Sequence, residues 1–300
     1  MRHAFAELNG VRLHYVEGGA GKLFLFLHGF PEFWYGWRRQ IAEFSRDFHV
    51  VAPDLRGYNL SSKPEGVDSY GIGLLIEDVH CLIRHLGTGQ CLLAGHDWGG
   101  LLAWIVAGVF PDLVEKLIVV NAPHPAIFLR ELRGNPGQRQ ASQYMVAFRA
   151  NPDIEKVISA DHFANFDRLL LQPGIAKGYF DEEDRRAYHQ AWSEPGALTA
   201  GLNYYRAAQL GPLEQDAPIP QTLASLADGL SIQAATLVIW GEQDPYLLTG
   251  NLEGLEKFVP RLKLRRVPDA THWVIHERSA LVNSYIREFV EEKPLRPPSA

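Results

Sequence analysis

Cysteine is nearly missing from this chain: 300 residues hold only Cys81 and Cys91. The two fall within a predicted helix and a predicted strand, so no disulfide framework is indicated and a reducing compartment fits. Also missing is any uninterrupted apolar run long enough to span a bilayer, and the opening Met1-Arg2-His3-Ala4-Phe5-Ala6-Glu7 lacks the apolar stretch of a signal peptide. Basic runs are absent as well. With 29 Lys and Arg against 35 Asp and Glu, the formal charge is −6 with neither a basic stripe nor an acidic tail, which excludes nucleic acid and anionic membrane as expected partners. A soluble, cytoplasmic protein is expected, and the chain does not fix its oligomeric state, a homodimer included.

What is present suits one large core with an inserted cap: 46% of residues are hydrophobic and 11% aromatic. Asn9-Gly10 between two alternating runs, the second being Val11-Arg12-Leu13-His14-Tyr15-Val16, predicts an opening hairpin. Short apolar strands follow at Leu23-Phe24-Leu25-Phe26-Leu27, His49-Val50-Val51-Ala52, Cys91-Leu92-Leu93-Ala94 and Leu117-Ile118-Val119-Val120, separated by helical patterns. In one of these, Leu75, Val79, Leu82, Ile83 and Leu86 recur at helical spacing and Gly87 ends the run. Continuous apolar strands alternating with amphipathic helices predict a mostly parallel sheet covered on both faces.

Between Pro125 and about Pro220 the alternation stops, and an aromatic-rich helical stretch takes its place. Strands resume at Thr236-Leu237-Val238-Ile239-Trp240 and at Leu262 to Val267, and a last helix follows from roughly Glu277 to Glu292. Two tandem domains would leave these strands too few partners for a sheet of ordinary size. The expected division is therefore an α/β core of residues 1–125 and 221–300 with a helical cap at 126–220, and a frayed Pro-rich tail after Lys293.

The most informative motif is Gly95-His96-Asp97-Trp98-Gly99, directly after an apolar run and before Gly100-Leu101-Leu102-Ala103-Trp104. It has the form of a nucleophile elbow carrying aspartate where esterases carry serine, with small residues on both sides of a sharp strand-to-helix turn. That exchange changes the chemistry. A serine that attacked a saturated carbon would form an ether that water could not cleave, whereas a carboxylate forms an ester that water can hydrolyse. Asp97 thus points to displacement at an epoxide or alkyl halide. The plain alternative is that Asp97 only caps the following helix.

Ester hydrolysis needs a base for water and donors for the developing oxyanion. His272, in Asp269-Ala270-Thr271-His272-Trp273, follows the last predicted strand, and Asp244 follows the strand before it. Catalytic groups of open α/β sheets gather at carboxyl ends of strands, so Asp97, Asp244 and His272 can converge in the order nucleophile, acid, histidine. Asp244 could equally be a turn residue before Pro245 and His272 a satisfied loop histidine. His272 and His276 stand four apart, a metal spacing, but the chain has no His-Glu-x-x-His form there and no adjacent Cys or His cluster. Upstream, His28-Gly29-Phe30-Pro31-Glu32 follows a strand, and its natural use is an oxyanion hole built from the N–H groups of Phe30 and Trp98.

Taken together, these pieces resemble an epoxide hydrolase of the α/β-hydrolase superfamily. The likeness covers nearly the whole length: His28 to Glu32 with Trp34, Tyr35, Trp37 and Arg38; Asp54-Leu55-Arg56-Gly57-Tyr58; the elbow with Trp104; Asn121-Ala122-Pro123-His124-Pro125; Asn203-Tyr204-Tyr205-Arg206; then Asp244 and His272. One departure is Asn59, where such enzymes usually carry glycine; asparagine tolerates left-handed backbone better than most residues. The resemblance implies two cap tyrosines that donate to the epoxide oxygen, which fall at Tyr144 and Tyr205, with Tyr204 as the rival to Tyr205. It implies an α/β-hydrolase fold, opening of an epoxide to a vicinal diol through an ester on Asp97, and no metal or organic cofactor. Trp34, Phe148 and Trp273 are expected in a pocket for an apolar small-molecule epoxide.

A haloalkane dehalogenase would share Asp97, Asp244 and His272 and would use Trp98. It would however usually carry a side-chain donor where this chain has Phe30. Fluoroacetate dehalogenases place arginines just after the nucleophile, where this chain has Trp98 and Leu101. A non-catalytic small-molecule-binding member of the fold is the remaining alternative, and it has no need of the three groups together.

Overall fold

The computed structural model describes residues 1–87, 89–212 and 229–292. Its centre is an eight-stranded sheet in the order β1-β2-β4-β3-β5-β6-β7-β8. Strands β1 (Arg2–Leu8) and β2 (Val11–Gly18) form the expected hairpin, with Asn9 and Gly10 both at positive φ as a two-residue turn of matching twist requires. β1 and β2 pair antiparallel, as do β2 and β4 (His49–Pro53), and the other five pairings are parallel. The remaining strands are β3 (Leu23–Leu27), β5 (Cys91–His96), β6 (Val114–Val120), β7 (Ala235–Gly241) and β8 (Leu262–Val267).

Every residue of β3 and β5 is buried, because helices cover both faces and each strand must be apolar throughout. β8 is an edge and reads differently. Its Lys263, Arg265 and Arg266 pair with Glu292, Glu288 and Glu242, charges that discourage edge-to-edge association. The helices flanking the sheet are α1 (Arg38–Phe44), α2 (Ile72–His85), α3 (Trp98–Val109) and a C-terminal helix, Ser279–Glu291. Gly87, just past α2, has φ +73 and ends it in left-handed backbone. No helix of the described residues is long and apolar enough to cross a membrane.

Between β6 and β7 come α4 (Pro125–Gly134), α5 (Pro136–Ala141), α6 (Gln143–Ala150), α7 (Ile154–Phe166), α8 (Gln172–Lys177), α9 (Glu182–Ser193) and α10 (Ala197–Ala208). Aromatic residues fasten this insertion to the core by donating to it. Tyr204 Oη–H donates to the Arg56 carbonyl at 2.7 Å, and Trp192 Nε1–H donates to the Pro31 carbonyl at 2.6 Å. The expected core–cap boundary at 220/221 and the tail after Lys293 lie outside the described residues.

The parallel register aligns the strand ends that matter: Leu27 faces Gly95, His96 faces Val120, Val120 faces Ile239 and Gly241 faces Val267. Loops leaving β3, β5, β7 and β8 therefore open on one rim of the sheet. Asn59 adopts φ +40, and its Nδ2 donates to Asp54 Oδ2 at 2.9 Å, so the residue departing from the expected glycine adds a bond to the turn it occupies.

Close packing at the elbow explains its glycines. A Cβ on Gly99 would stand 2.2 Å from the Leu27 carbonyl oxygen, and one on Gly95 would stand 2.3 Å from that of Gly99. Gly99→Ala is expected to destabilise the fold by about 3 kcal/mol, since backbone cannot yield as a flexible side chain can. Urea denaturation measures it; an unchanged midpoint would show that the elbow has slack.

Candidate active site

Asp97 sits at the turn between β5 and α3 with φ +51 and ψ −122, a conformation held by the packing on either side. It occupies the N-cap position of α3, yet its side chain makes no capping bond to that helix. The capping alternative fails on this geometry. Instead Asp97 Oδ1 accepts the Phe30 N–H at 2.8 Å, while Oδ2 lies 3.6 Å from His272 Nε2. The two carboxylate oxygens are thereby made unequal. Trp98, the other expected oxyanion donor, begins α3, where first-turn amides have no helical acceptor and carry the positive end of the dipole.

The Phe30 loop is fixed from behind by His28. Its Nδ1–H donates to the Gly29 carbonyl at 2.8 Å and its Nε2 accepts the Leu55 N–H at 3.0 Å, a pattern that needs a neutral ring. Burial lowers its pKa and keeps it neutral.

His272 Nδ1 meets Asp244 Oδ2 at 2.7 Å. Asp244 is buried and its carboxylate is fully engaged: Oδ1 accepts the N–H groups of Tyr246 and Leu247 at 2.8 and 3.0 Å, and Oδ2 also accepts from Asn121 Nδ2 at 2.7 Å. Burial alone would lower the imidazole. The charge and hydrogen bond of Asp244, with Asp97 and Glu32 behind them, outweigh that and raise His272 to about 9. The His272 and His276 pair is not turned toward a common ion, because His276 Nε2 lies 2.6 Å from Glu32 Oε1. Among the described residues, only Glu77, His80 and Cys81, along α2, bring three metal-capable donors within 4.8 Å of one another.

Asp97 and His272 open into a cavity of about 270 Å³ under the cap, lined chiefly by apolar side chains such as Ile154, Ile158, Phe166 and Leu170. Tyr144 and Tyr205 line it too, with ring centroids 6.1 Å apart. Burial first, and then the charge of Asp97 among others, raises both phenols well above their usual value of 10. They remain protonated, and so remain donors, across the accessible pH range. Tyr204 is excluded as a donor here, since its hydroxyl is spent on the Arg56 carbonyl.

Of the expected pocket residues, Phe148 and Trp273 line the cavity and Trp34 does not. Trp34 begins the short 3-10 turn Trp34–Trp37, where its ring packs edge-on against His3 and Tyr35 and its N–H donates to Asp54 Oδ1. That turn carries it away from the rim. Sequence reasoning assigned no role to Asn121, which steadies Asp244, or to Tyr246, whose ring meets His272 edge-on at 5.5 Å. Asn121 directly follows β6, so the strand-end rule could have singled it out.

A protein-family profile described as the α/β hydrolase fold matches residues 22–279. The chain is 38% identical over 295 residues to the AB hydrolase superfamily protein YfhM of Bacillus subtilis, covering 96% of this chain and 98% of that protein. It is 34% identical over 303 residues to epoxide hydrolase 4 of Mus musculus, covering 98% and 81% respectively. Among solved structures, a mutant epoxide hydrolase from Bacillus megaterium, complexed with its product (R)-3-[1]naphthyloxy-propane-1,2-diol, superposes with a TM-score of 0.89 at 40% identity over 96% of this chain and 100% of that one.

Asp244→Asn is expected to drop the His272 titration well below about 9, because it removes the largest influence holding the imidazole up. NMR titration of the His272 ring reads this directly. A titration still near 9 would mean that Asp244 does not set it.

Proposed function

The chain belongs to the epoxide hydrolases of the α/β-hydrolase superfamily, and from that premise we propose that it opens an apolar epoxide to a vicinal diol by the following steps. Asp97 Oδ2 attacks one ring carbon, the carbon–oxygen bond of the ring breaks, and Tyr144 and Tyr205 bind and protonate the departing oxygen. A hydroxyalkyl ester on Asp97 results. His272, oriented by Asp244, then removes a proton from water as that water attacks the Asp97 carbonyl carbon. The Cγ–Oδ2 bond breaks as His272 passes that proton to Oδ2, the diol leaves with Oδ2, and the water oxygen stays in the regenerated carboxyl, whose remaining proton restores the phenol that protonated the ring oxygen.

The observation that carries this reading is the division of labour within one carboxylate. Oδ1 already rests on the Phe30 amide, the place an ester carbonyl oxygen needs, while Oδ2 stays free to attack. Protonated phenols above it suit a strained ring, whose opening releases an alkoxide. Halide release would call instead for a second N–H donor near Trp98, and the Phe30 side chain offers none. The apolar lining supports a substrate with an aryl or long alkyl substituent. In this reading residues 126–220 act as the lid that completes the site and 1–125 with 221–300 as the core.

The charge balance also times the two steps. In the resting site the Asp97 carboxylate helps raise His272, and alkylation abolishes that charge. The imidazole in the ester therefore titrates below about 9, toward the range where it can serve as base.

His272→Gln is expected to accumulate the ester, visible as a mass increase equal to one substrate molecule; unmodified protein after epoxide exposure would contradict the covalent route. Tyr205→Phe is expected to slow alkylation by about 10²-fold and ester hydrolysis far less, and the reverse partition would assign the donor elsewhere. In the wild type, ester hydrolysis should rise with pH and level off once His272 is neutral. A hydrolysis rate that falls as pH rises from 6 to 8 would contradict His272 as base.

A further inference from the structure

The proposed chemistry leaves one buried carboxylate unused. Glu32, two residues after Phe30, has a fully buried side chain. Its Oε1 accepts Tyr188 Oη–H at 2.6 Å and lies 2.6 Å from His276 Nε2, while Oε2 lies 3.3 Å from His96 Nδ1. Burial opposes its charge, yet His276 and His96 hold it well below the usual carboxylate range. Burial lowers His276 in turn, so its ring donates Nε2–H in the neutral form.

Each partner belongs to a different part of the site. His96 ends β5 immediately before Asp97, and its Nε2 lies 2.9 Å from the His272 carbonyl oxygen. His276 lies in the short helix Val274–Glu277 that continues the His272 loop. Tyr188 comes from α9 in the insertion. Glu32 thus meets the nucleophile strand, the base loop and the cap at one point, and the Trp192 bond to Pro31 clamps the cap to the same loop.

We infer that Glu32 is a positioning residue for ester hydrolysis: through His96 and His276 it holds the loop that aims His272, and through Tyr188 it makes that alignment depend on the cap being seated. This rests on the covalent reading above. A carboxylate serving only as packing would need no link to the His272 backbone, and an apolar residue would fill the space at lower cost. Its negative charge also faces His272 alongside Asp97 and Asp244, with the Tyr246 ring on the other side. Around Glu32 itself stand His96, His276 and Tyr188, with the Arg38–Asp184 pair next to them.

The test resolves alkylation from ester hydrolysis in single turnovers of Glu32→Gln, Glu32→Asp and Tyr188→Phe, each first checked for folding by urea denaturation. Glu32→Gln is expected to slow hydrolysis about tenfold or more while changing alkylation less than about threefold, and to move the acid limb of hydrolysis to lower pH because a charge that raises His272 is gone. Glu32→Asp should restore that limb. Tyr188→Phe keeps the charge, so it should slow hydrolysis without moving the limb. Equal loss in both steps with an unmoved pH profile would make Glu32 structural and overturn the inference, as would hydrolysis at the wild-type rate in both Glu32→Gln and Tyr188→Phe. Should Glu32→Gln fail to fold, Tyr188→Phe and Glu32→Asp decide: slowed hydrolysis in the first and a wild-type limb in the second support the inference, and any other pair overturns it. Absence of any ester in the wild type and in His272→Gln would instead defeat the covalent reading itself.

Discussion

The Asp97 carboxylate is held so that its two oxygens cannot exchange roles, and the rest of the molecule is arranged around that inequality. Oδ1 rests on the Phe30 amide at 2.8 Å and Oδ2 faces His272 at 3.6 Å. Neither distance could be kept by a loop alone. The elbow glycines let α3 press against the end of β3, and a Cβ on Gly29 would stand 2.3 Å from that of Asp97, so the bare Gly29 backbone packs directly against the Asp97 side chain. His28 then ties the loop to Leu55 after β4. The sheet register carries the remaining constraint, since it brings the ends of β5, β7 and β8 to one rim.

Electrostatics follows from the same placement. Three carboxylates, Asp97, Asp244 and Glu32, surround one buried imidazole, and together they overcome burial to raise it to about 9. At about 9 the imidazole is mostly protonated at neutral pH, and the proposed role as base calls for one of those charges to be removed. Alkylation of Asp97, as proposed, removes one. The cavity above works in the opposite sense, because burial and the same Asp97 charge keep Tyr144 and Tyr205 protonated. In the proposed mechanism a carboxylate nucleophile, two donors and a base released after the first step therefore share one small apolar space without neutralising each other.

Much of this was legible in the residues. Each strand and each of Asp97, Asp244 and His272 was visible because an apolar run ends in a short polar segment, and parallel sheets place such segments on one rim. The elbow was readable from glycines that close packing requires. What the sequence hid depended on side-chain direction. Adjacent Tyr204 and Tyr205 point about 100° apart on α10, a difference that composition cannot show, and only the structure sends Tyr204 to Arg56 and Tyr205 to the cavity. Trp34 failed for the same reason, because one 3-10 turn carries its ring away to His3. Glu32 was quoted within a motif and given no role, since its partners His96, His276 and Tyr188 are scattered along the chain and meet only in the fold.

Transfer of oxygen from Asp97 to substrate is the claim on which the account turns, and one round of reaction in heavy-oxygen water with protein in excess tests it most directly. The account predicts that the first diol released carries no solvent label and that the label resides in the Asp97 carboxylate, detected by mass spectrometry of the peptide containing it. Labelled diol in that first round, with an unlabelled carboxylate, would mean that water opened the ring directly and would contradict it.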